Sequence, residues 1–187
     1  MTKKQFWRNA SNQGMICGCG LLAVSVVAWV FGFAPGSSWN WPELLRFALI
    51  AAVIWMSGRR SAALVGPEGW PYGRAVGFIF ATMMFAGIVA GVGEFLMTNF
   101  IARDYYDALN AGQIDTALAM YRGTPFEGRM EEMRGTMESM LSNPFMLIFG
   151  SVVNYVIKGG FLGLILGAFL YRKPDFFAAG GDTPDNG

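Results

Sequence analysis

The sequence predicts an all-α fold: a polytopic membrane protein of four transmembrane helices, with an external helical hairpin between the third and the fourth. Hydrophobic residues make up 53% of the chain and charged residues only 14%, against about a quarter charged in ordinary globular domains. Four long apolar segments stand out, and a membrane-spanning helix needs about 20 such residues. We expect spans at about 14–33, 41–57, 75–101 and 145–171.

The first two spans differ in how clearly the sequence marks them. The first follows a basic start, but its apolar run is too long for a cleaved signal peptide, so we expect a retained helix. The second is short, and Trp39, Trp41 and Trp55 extend it with aromatic anchors. Asn40 is placed to cap this helix, with Glu43 three residues further on.

The third span is longer than a bilayer needs, and the fourth has a clear beginning. Asn143 is a predicted N-cap, and Pro144 fits the first helical position. A turn-rich stretch at 66–73 separates the second span from the third. Residues 1–177 therefore form one predicted domain, followed by a polar, glycine-rich tail at 178–187 that we expect to be disordered.

The external insert at 102–143 also shows helical spacing. The second half places methionines on one helical face at Met130, Met133, Met137 and Met140. The predicted hairpin is interrupted near 123–125. Soft-metal binding by this face is disfavoured without His or Cys nearby. Docking on the sister helix, on the membrane surface or on a partner fits it better.

The distribution of Lys and Arg predicts the orientation. The termini and the 58–74 loop together carry eight, whereas the other side carries four, all of them arginines in the 102–143 insert. Positive residues are retained in the cytoplasm. We therefore expect a multi-pass protein of the bacterial inner membrane with both termini cytoplasmic.

A polar stripe interrupts the fourth span. Ser151, Asn154 and Lys158 share one helical face, and Lys158 lies about 20 Å from either end of the predicted helix. A lysine that deep should face protein or water, because exposing it to lipid costs about 2.5–3.5 kcal/mol. Its expected partner is Glu94 in the third span, about 8 Å offset along the membrane normal.

Several interpretations of this candidate intramembrane polar site stay open. A structural ion pair between Glu94 and Lys158 is favoured over a proton or solute pathway. A contact of Lys158 with a partner protein, with a lipid head group or with a different acid is a further option.

Glycines mark two predicted helix-packing faces. Gly87 and Gly91 share a face with Glu94, and Gly159, Gly163 and Gly167 form a small-xxx-small stripe on the fourth span. The stripe lies well around the helix from Lys158, so we expect two separate interfaces. Packing within the chain is favoured over a homodimer, with Gly14 and Gly18 as candidate mates.

Composition and motifs argue against catalysis. The chain has no histidine, which removes the commonest general base and metal ligand. Cys17 and Cys19 point to nearly opposite sides of a helix, so a shared metal is not expected. No nucleotide, metalloprotease or nucleophile-elbow motif occurs. A net charge of +1 gives no sign of nucleic-acid binding. We expect no enzyme activity and no cofactor.

The layout resembles a family of small four-helix bacterial membrane proteins catalogued as domain of unknown function 4199, common in Bacteroidota. The resemblance covers about residues 5–173. It depends on "FWRNASNQGMICGCG" opening the first helix, "WPYGRAVGFIFA" opening the third, and "NPFMLIFGSVVNYVIKGGFLGLILGAFLYRK" closing the chain. It implies an integral inner-membrane protein and brings no established activity.

Two functions are therefore expected in order of preference. The first is a non-enzymatic membrane module that acts through protein–protein contacts. Its expected partners are the lipid bilayer and a membrane or periplasmic protein, with a homo-oligomer as a further option. The second is a small oligomeric transporter or channel that uses the intramembrane Glu/Lys pair. A dry contact at Lys158 favours the first, and a water-filled cavity the second.

Overall fold

The computed structural model describes residues 2–32, 41–65 and 69–171, which are almost entirely helical. The predicted cap at Asn40, the anchor Trp39 and the tail at 178–187 lie outside the described residues. The helices are α1 (Lys3–Val30), α2 (Trp41–Ala63), α3 (Tyr72–Leu96), a π-helical turn (Met97–Ile101), α4 (Arg103–Met120), α5 (Glu127–Ser142) and α6 (Pro144–Leu170).

Four of these helices are long and apolar enough to cross a membrane: α1, α2, α3 with its π-helical turn, and α6. The prediction of an all-α, multi-pass chain is confirmed at this level. The first helix begins much earlier than expected, at Lys3, because Thr2 and Gln5 form a reciprocal capping box at its N-terminus. Asn143 caps α6 as predicted, accepting from the backbone N–H groups of Phe145 and Met146.

The third helix lies at the centre of the bundle, between α1 and α6. The α1–α3 contact runs through Gly14 and Gly18. A methyl group added at Gly14 would lie 2.6 Å from the Thr82 carbonyl oxygen, and one at Gly18 would lie 2.9 Å from that of Ala86. These glycines therefore pack on α3, not on the glycine stripe of α6 that we expected them to meet.

All five glycines predicted to pack helices lie in the contact between α3 and α6. A methyl group at Gly87 would lie 2.6 Å from the Val152 Cα, and one at Gly91 would lie 2.8 Å from the Ile148 Cα. Further along, the stripe at Gly159, Gly163 and Gly167 lies against side chains of α3. The two backbones thus approach closely in the half of the contact nearest α4.

The contacts also fix the direction of each long helix. The end of the bundle where α1 and α3 finish and α2 and α6 begin is called the α4 end here. The opposite end, where α1 and α3 begin and α2 and α6 finish, is called the terminal end. At the terminal end α2 packs on α6, where Gly58 lies against Leu170. Earlier in both helices Lys158 contacts Glu43, so the second and sixth helices run in the same direction.

The two shorter helices, α4 and α5, are separated by a turn near the predicted interruption. Gly123 has a φ of +73° in this turn, a conformation that favours glycine. Arg134 of α5 binds Asp115 of α4 at 3.0 Å and Glu138 of its own helix at 3.3 Å. Ile114 is the one buried residue of α4, and none of the α5 side chains that the structure describes is buried.

Candidate functional site

Polar and charged side chains from five helices meet near the α4 end of the bundle. We call this set the polar cluster. It consists of Ser25 from α1, Glu43 and Arg46 from α2, Glu94 from α3, Tyr106 from α4, and Ser151, Tyr155 and Lys158 from α6.

Lys158 donates to a carboxylate oxygen of Glu43, and the two form an ion pair. The register of α2 and α6 explains this partner. Lys158 and Arg46 precede the Gly58–Leu170 contact by the same number of residues, so they lie at the same level. Glu43 lies one turn nearer the α4 end, about 4.5 Å away along the axis. The Lys158 side chain leans in that direction, toward the N-terminus of its helix.

The expected contact between Lys158 and Glu94 is therefore replaced by a contact with a different acid. Gly159, the neighbour of Lys158, packs on Met83. Glu94 lies about 16 Å further along α3 than Met83, beyond the reach of the lysine. The offset of 8 Å estimated from the sequence assumed that the inner ends of the two spans lie at matching levels, and the packed register differs.

Glu94 is instead held by hydroxyl groups of α6. The Ser151 hydroxyl donates to one carboxylate oxygen at 2.5 Å, and the Tyr155 hydroxyl donates to the other at 3.4 Å. Ser151 and Tyr155 are both buried. Because α3 and α6 are antiparallel, the Glu94 side chain leans back along its own helix toward these two residues.

Arg46 joins Glu43 to α1. Its guanidinium lies 3.5 Å from Glu43 and donates to the Ser25 hydroxyl at 2.9 Å. An arginine near the end of a span can extend to the membrane surface, but the structure turns Arg46 into the bundle. Its Nε is buried and has no hydrogen-bond partner among the described residues.

Tyr106 links α4 to the cluster from outside the membrane-spanning helices. Burial raises the pKa of its phenol above the ordinary value, and the nearby Glu94 carboxylate raises the pKa further. Arg46 and Ser25 act in the opposite direction. The phenol is therefore a neutral member of the cluster at physiological pH.

The polar stripe predicted on α6 divides between two environments. Ser151 is buried against Glu94, and Lys158 is partly buried against Glu43. Asn154 is exposed and makes no side-chain hydrogen bond within the described part of the chain.

Five members of the polar cluster were not predicted from the sequence: Ser25, Glu43, Arg46, Tyr106 and Tyr155. The signal for Arg46 was its position three residues after Glu43, a spacing that brings two helical side chains together.

Chemically, the cluster is balanced and well connected. It holds two acids and two bases, and each acid has at least one donor within the chain. No group of three metal-ligating side chains occurs in the described residues. A cleft of about 320 Å³ lies elsewhere, beside the π-helical turn, lined by Thr98, Asn99, Arg103, Asp107, Asn110, Ala111, Ile114 and Glu138.

Four apolar helices packed through glycine contacts, with charged groups paired among them, define a polytopic α-helical membrane protein. The chain belongs to the family described as protein of unknown function (DUF4199), whose model matches residues 12–172. This confirms the resemblance seen in the sequence. No curated protein and no solved structure matches the chain.

Proposed function

We propose that this chain is a non-enzymatic integral protein of the bacterial inner membrane that acts through protein–protein contacts of α4 and α5. The four long helices serve as the anchor, and the two shorter helices form an external contact element. The observation that carries the proposal is the exposure of large apolar side chains on these shorter helices.

The exposed apolar residues of the contact element are spread over both helices and the turn. The exposed fraction is 75% for Met120 and 48% for Met133, and Phe126 and Met140 are also more than one-third exposed. The side chain of Met130 lies outside the described residues. Met133 and Met140 are thus not covered by α4. Flexible methionine side chains adapt to varied partner surfaces, which suits this role.

The bundle itself is built as a rigid support. The backbones of α3 and α6 approach closely at Gly87 and Gly91, and small residues at a helix interface favour tight packing in membranes. Across the helices, Lys158 pairs with Glu43 and the Ser151 hydroxyl donates to Glu94. We infer that this ionic network is structural and that it fixes the position from which α4 emerges.

The orientation follows from the excess of Lys and Arg at the terminal end. In this proposal both termini are cytoplasmic, and α4 and α5 are periplasmic. Cysteine labelling in intact cells tests it, after Cys17 and Cys19 are replaced by serine. A membrane-impermeant reagent should label Thr136→Cys but not Thr2→Cys, and the reverse pattern would refute the orientation.

Site-specific photocrosslinking tests the contact element. A photoreactive amino acid at Met133 or Met140 should give one discrete protein adduct in native membranes. The same substitution at Glu132, an exposed position on the same helix, is the matched control and should give none. Met140→Asp should remove the adduct formed from position 133. Equal adducts from positions 132 and 133, or adducts with lipid alone, would contradict the proposal.

A second candidate is a small oligomeric transporter or channel that uses the intramembrane acids and bases. The observation in its favour is a chain of ionisable groups, Glu43, Arg46 and Lys158, that continues within one bundle toward Glu94 and Tyr106. Proton or ion flux in proteoliposomes distinguishes it. Flux abolished by Glu94→Gln, and kept by Glu138→Gln, would replace the first proposal with this one.

A further inference from the structure

The outward side of α1 carries polar side chains in the half of the helix nearest the terminal end. Arg8 and Asn12 are both exposed and lie one turn apart on the same side of the helix. The Asn12 amide makes no hydrogen bond within the described part of the chain. An amide that meets only lipid leaves its donors and its acceptor unsatisfied, which is costly in a membrane. The depth of Asn12 therefore decides whether it needs a partner.

The packing of the helices gives that depth. Asn12 comes two residues before Gly14, which packs on Thr82, so it lies about 3 Å nearer the terminal end than Thr82. On α6, Phe169 lies about 3 Å beyond Val76, because the stripe glycine two residues before it packs on this valine. Phe169 is 72% exposed. Because Val76 precedes Thr82 by six residues, exposed apolar surface continues for about 9 Å beyond Asn12 toward the terminal end.

A tryptophan on the same helix agrees with this depth. Trp7 is 52% exposed and lies about 7.5 Å nearer the terminal end than Asn12. Exposed tryptophans are typical of the membrane–water interface. The long Arg8 side chain can extend to that interface, whereas the short Asn12 side chain cannot. Asn12 therefore needs a hydrogen-bond partner inside the membrane.

The exposed face that contains Asn12 continues along α1 in steps of four and three residues. We call this face the α1 seam, and it consists of Asn12, Ile16, Cys19, Ala23, Val26 and Val30, all of them exposed. Alternating steps of this kind are the pattern in which two parallel helices pack along one side. Cys19 and Ala23, in the middle of the seam, are small and four residues apart, a spacing that lets two helices approach closely in a membrane.

The exposed face of α6 has a different composition. It carries large aromatic side chains at Phe149, Phe161 and Phe169, which would hold a neighbouring backbone away. None of the six residues of the α1 seam is aromatic. Because small side chains favour helix–helix contacts in lipid, the α1 seam is the better suited of the two faces to pack against another helix.

Complementarity of charge and hydrogen bonding identifies the helix that fits this seam as a second copy of α1. Two copies inserted in the same orientation are related by a two-fold axis along the membrane normal, so their α1 helices run parallel. Each Asn12 then lies opposite its equivalent, and because an amide has both donors and an acceptor, the two can satisfy each other. Arg8 flanks the seam and faces position 13 of the other copy, where the Gln13 carbonyl oxygen can accept from the guanidinium.

We propose that the α1 seam is the interface of a parallel homodimer in the membrane, with the Asn12 amides of the two copies bonded to each other. The seam lies on the opposite side of α1 from Gly14 and Gly18, which pack on α3. The dimer therefore forms without opening the bundle. It involves neither α4 nor α5, so it is independent of the contact element.

Two isoleucines provide a matched pair of positions for a test. Ile16 of the seam is 61% exposed, and Ile157 of α6 is 66% exposed. Each lies two residues toward the α4 end from a glycine that packs on α3, Gly14 on Thr82 and Gly159 on Met83. The two side chains therefore have the same chemistry, similar exposure and the same depth, and only Ile16 belongs to the seam.

Single-cysteine crosslinking in native membranes uses this pair. Cys17 and Cys19 are replaced by serine, and one cysteine is introduced at either isoleucine. Mild oxidation should give a disulfide-linked dimer from Ile16→Cys and none from Ile157→Cys. The chain with Cys17→Ser alone should also form the dimer through Cys19, which keeps the test valid if Ile16→Cys fails to fold. A dimer from Ile157→Cys alone, or an adduct of Ile16→Cys with a different membrane protein, would refute the proposal.

Energy transfer between labelled full-length chains in liposomes, measured over a range of protein-to-lipid ratios, tests the Asn12 amide. Asn12→Val should weaken self-association about tenfold, the size expected of side-chain hydrogen bonds between membrane helices. Asn154→Val removes an exposed amide from α6 and is the matched control, which should leave self-association unchanged. Weaker association only in Asn154→Val, no effect of Asn12→Val, or a wild-type chain that stays monomeric at every ratio would overturn the proposal.

Discussion

Replacing Gly87 by alanine tests the backbone contact between α3 and α6. The added methyl group would lie 2.6 Å from the Val152 Cα and 3.2 Å from its backbone nitrogen. Ordinary contacts of this kind begin near 3.4 Å. Neither neighbour is a side chain that can rotate away, so the two helices must move apart.

The size of the effect can be worked out with a matched control. Overpacking in a tight core costs about 1–3 kcal/mol, and alanine regains about 1 kcal/mol of helix propensity over glycine. Gly77 lies in the same helix, and nothing lies within 4 Å of a methyl group added there. Gly77→Ala should therefore gain only the propensity. We expect Gly87→Ala to be less stable than Gly77→Ala by about 1–3 kcal/mol.

Equilibrium unfolding of both variants in mixed micelles, followed by circular dichroism, measures this difference. A measurable loss confined to Gly87→Ala would support the close α3–α6 contact. Equal shifts in the free energy of unfolding for the two variants would refute it, because the propensity term is common to both and the steric term is not.

Substitutions at three further positions test other parts of the structure. Asn143→Ala should destabilise the start of α6 by about 1 kcal/mol, and Asn143→Asp, which keeps the acceptor oxygen, should restore most of the loss in a thermal unfolding assay. Ser151→Ala removes the shorter of the two hydrogen bonds to Glu94 and should cost about 1–3 kcal/mol in the same assay; a neutral result would mean that this carboxylate is not held by α6. Tyr106 has a pKa above its ordinary value of 10.0, so the unfolded chain loses the proton first and stability falls as the pH rises above that value. Tyr106→Phe should reduce this alkaline loss relative to the wild-type chain, and identical pH profiles would contradict the burial of the phenol.

The four long apolar helices and the cap at Asn143 could be predicted because they depend on local sequence. Asn143 and Pro144 mark the start of α6 in the sequence and in the structure. The first helix was predicted too short, because its basic and polar first turns do not resemble a span. A capping box at Thr2 extends it beyond the apolar run.

The partners inside the bundle could not be predicted, because sequence periodicity gives the face of a residue but not the axial offset between helices. Lys158 and Glu94 both face the bundle interior, yet the packed register separates them and brings Glu43 to the lysine. The sequence did not show that α2 begins well below the level at which α6 begins.

The most direct test of the structural role of the polar cluster is a pair of double-mutant cycles on thermal stability in detergent. One cycle combines Lys158→Met with Glu43→Gln, and the other combines Lys158→Met with Glu94→Gln. The ion pair is partly exposed, so we expect a coupling of about 1–2 kcal/mol in the first cycle and close to none in the second. Coupling confined to Glu94, or additive effects in both cycles, would contradict the structural network described here.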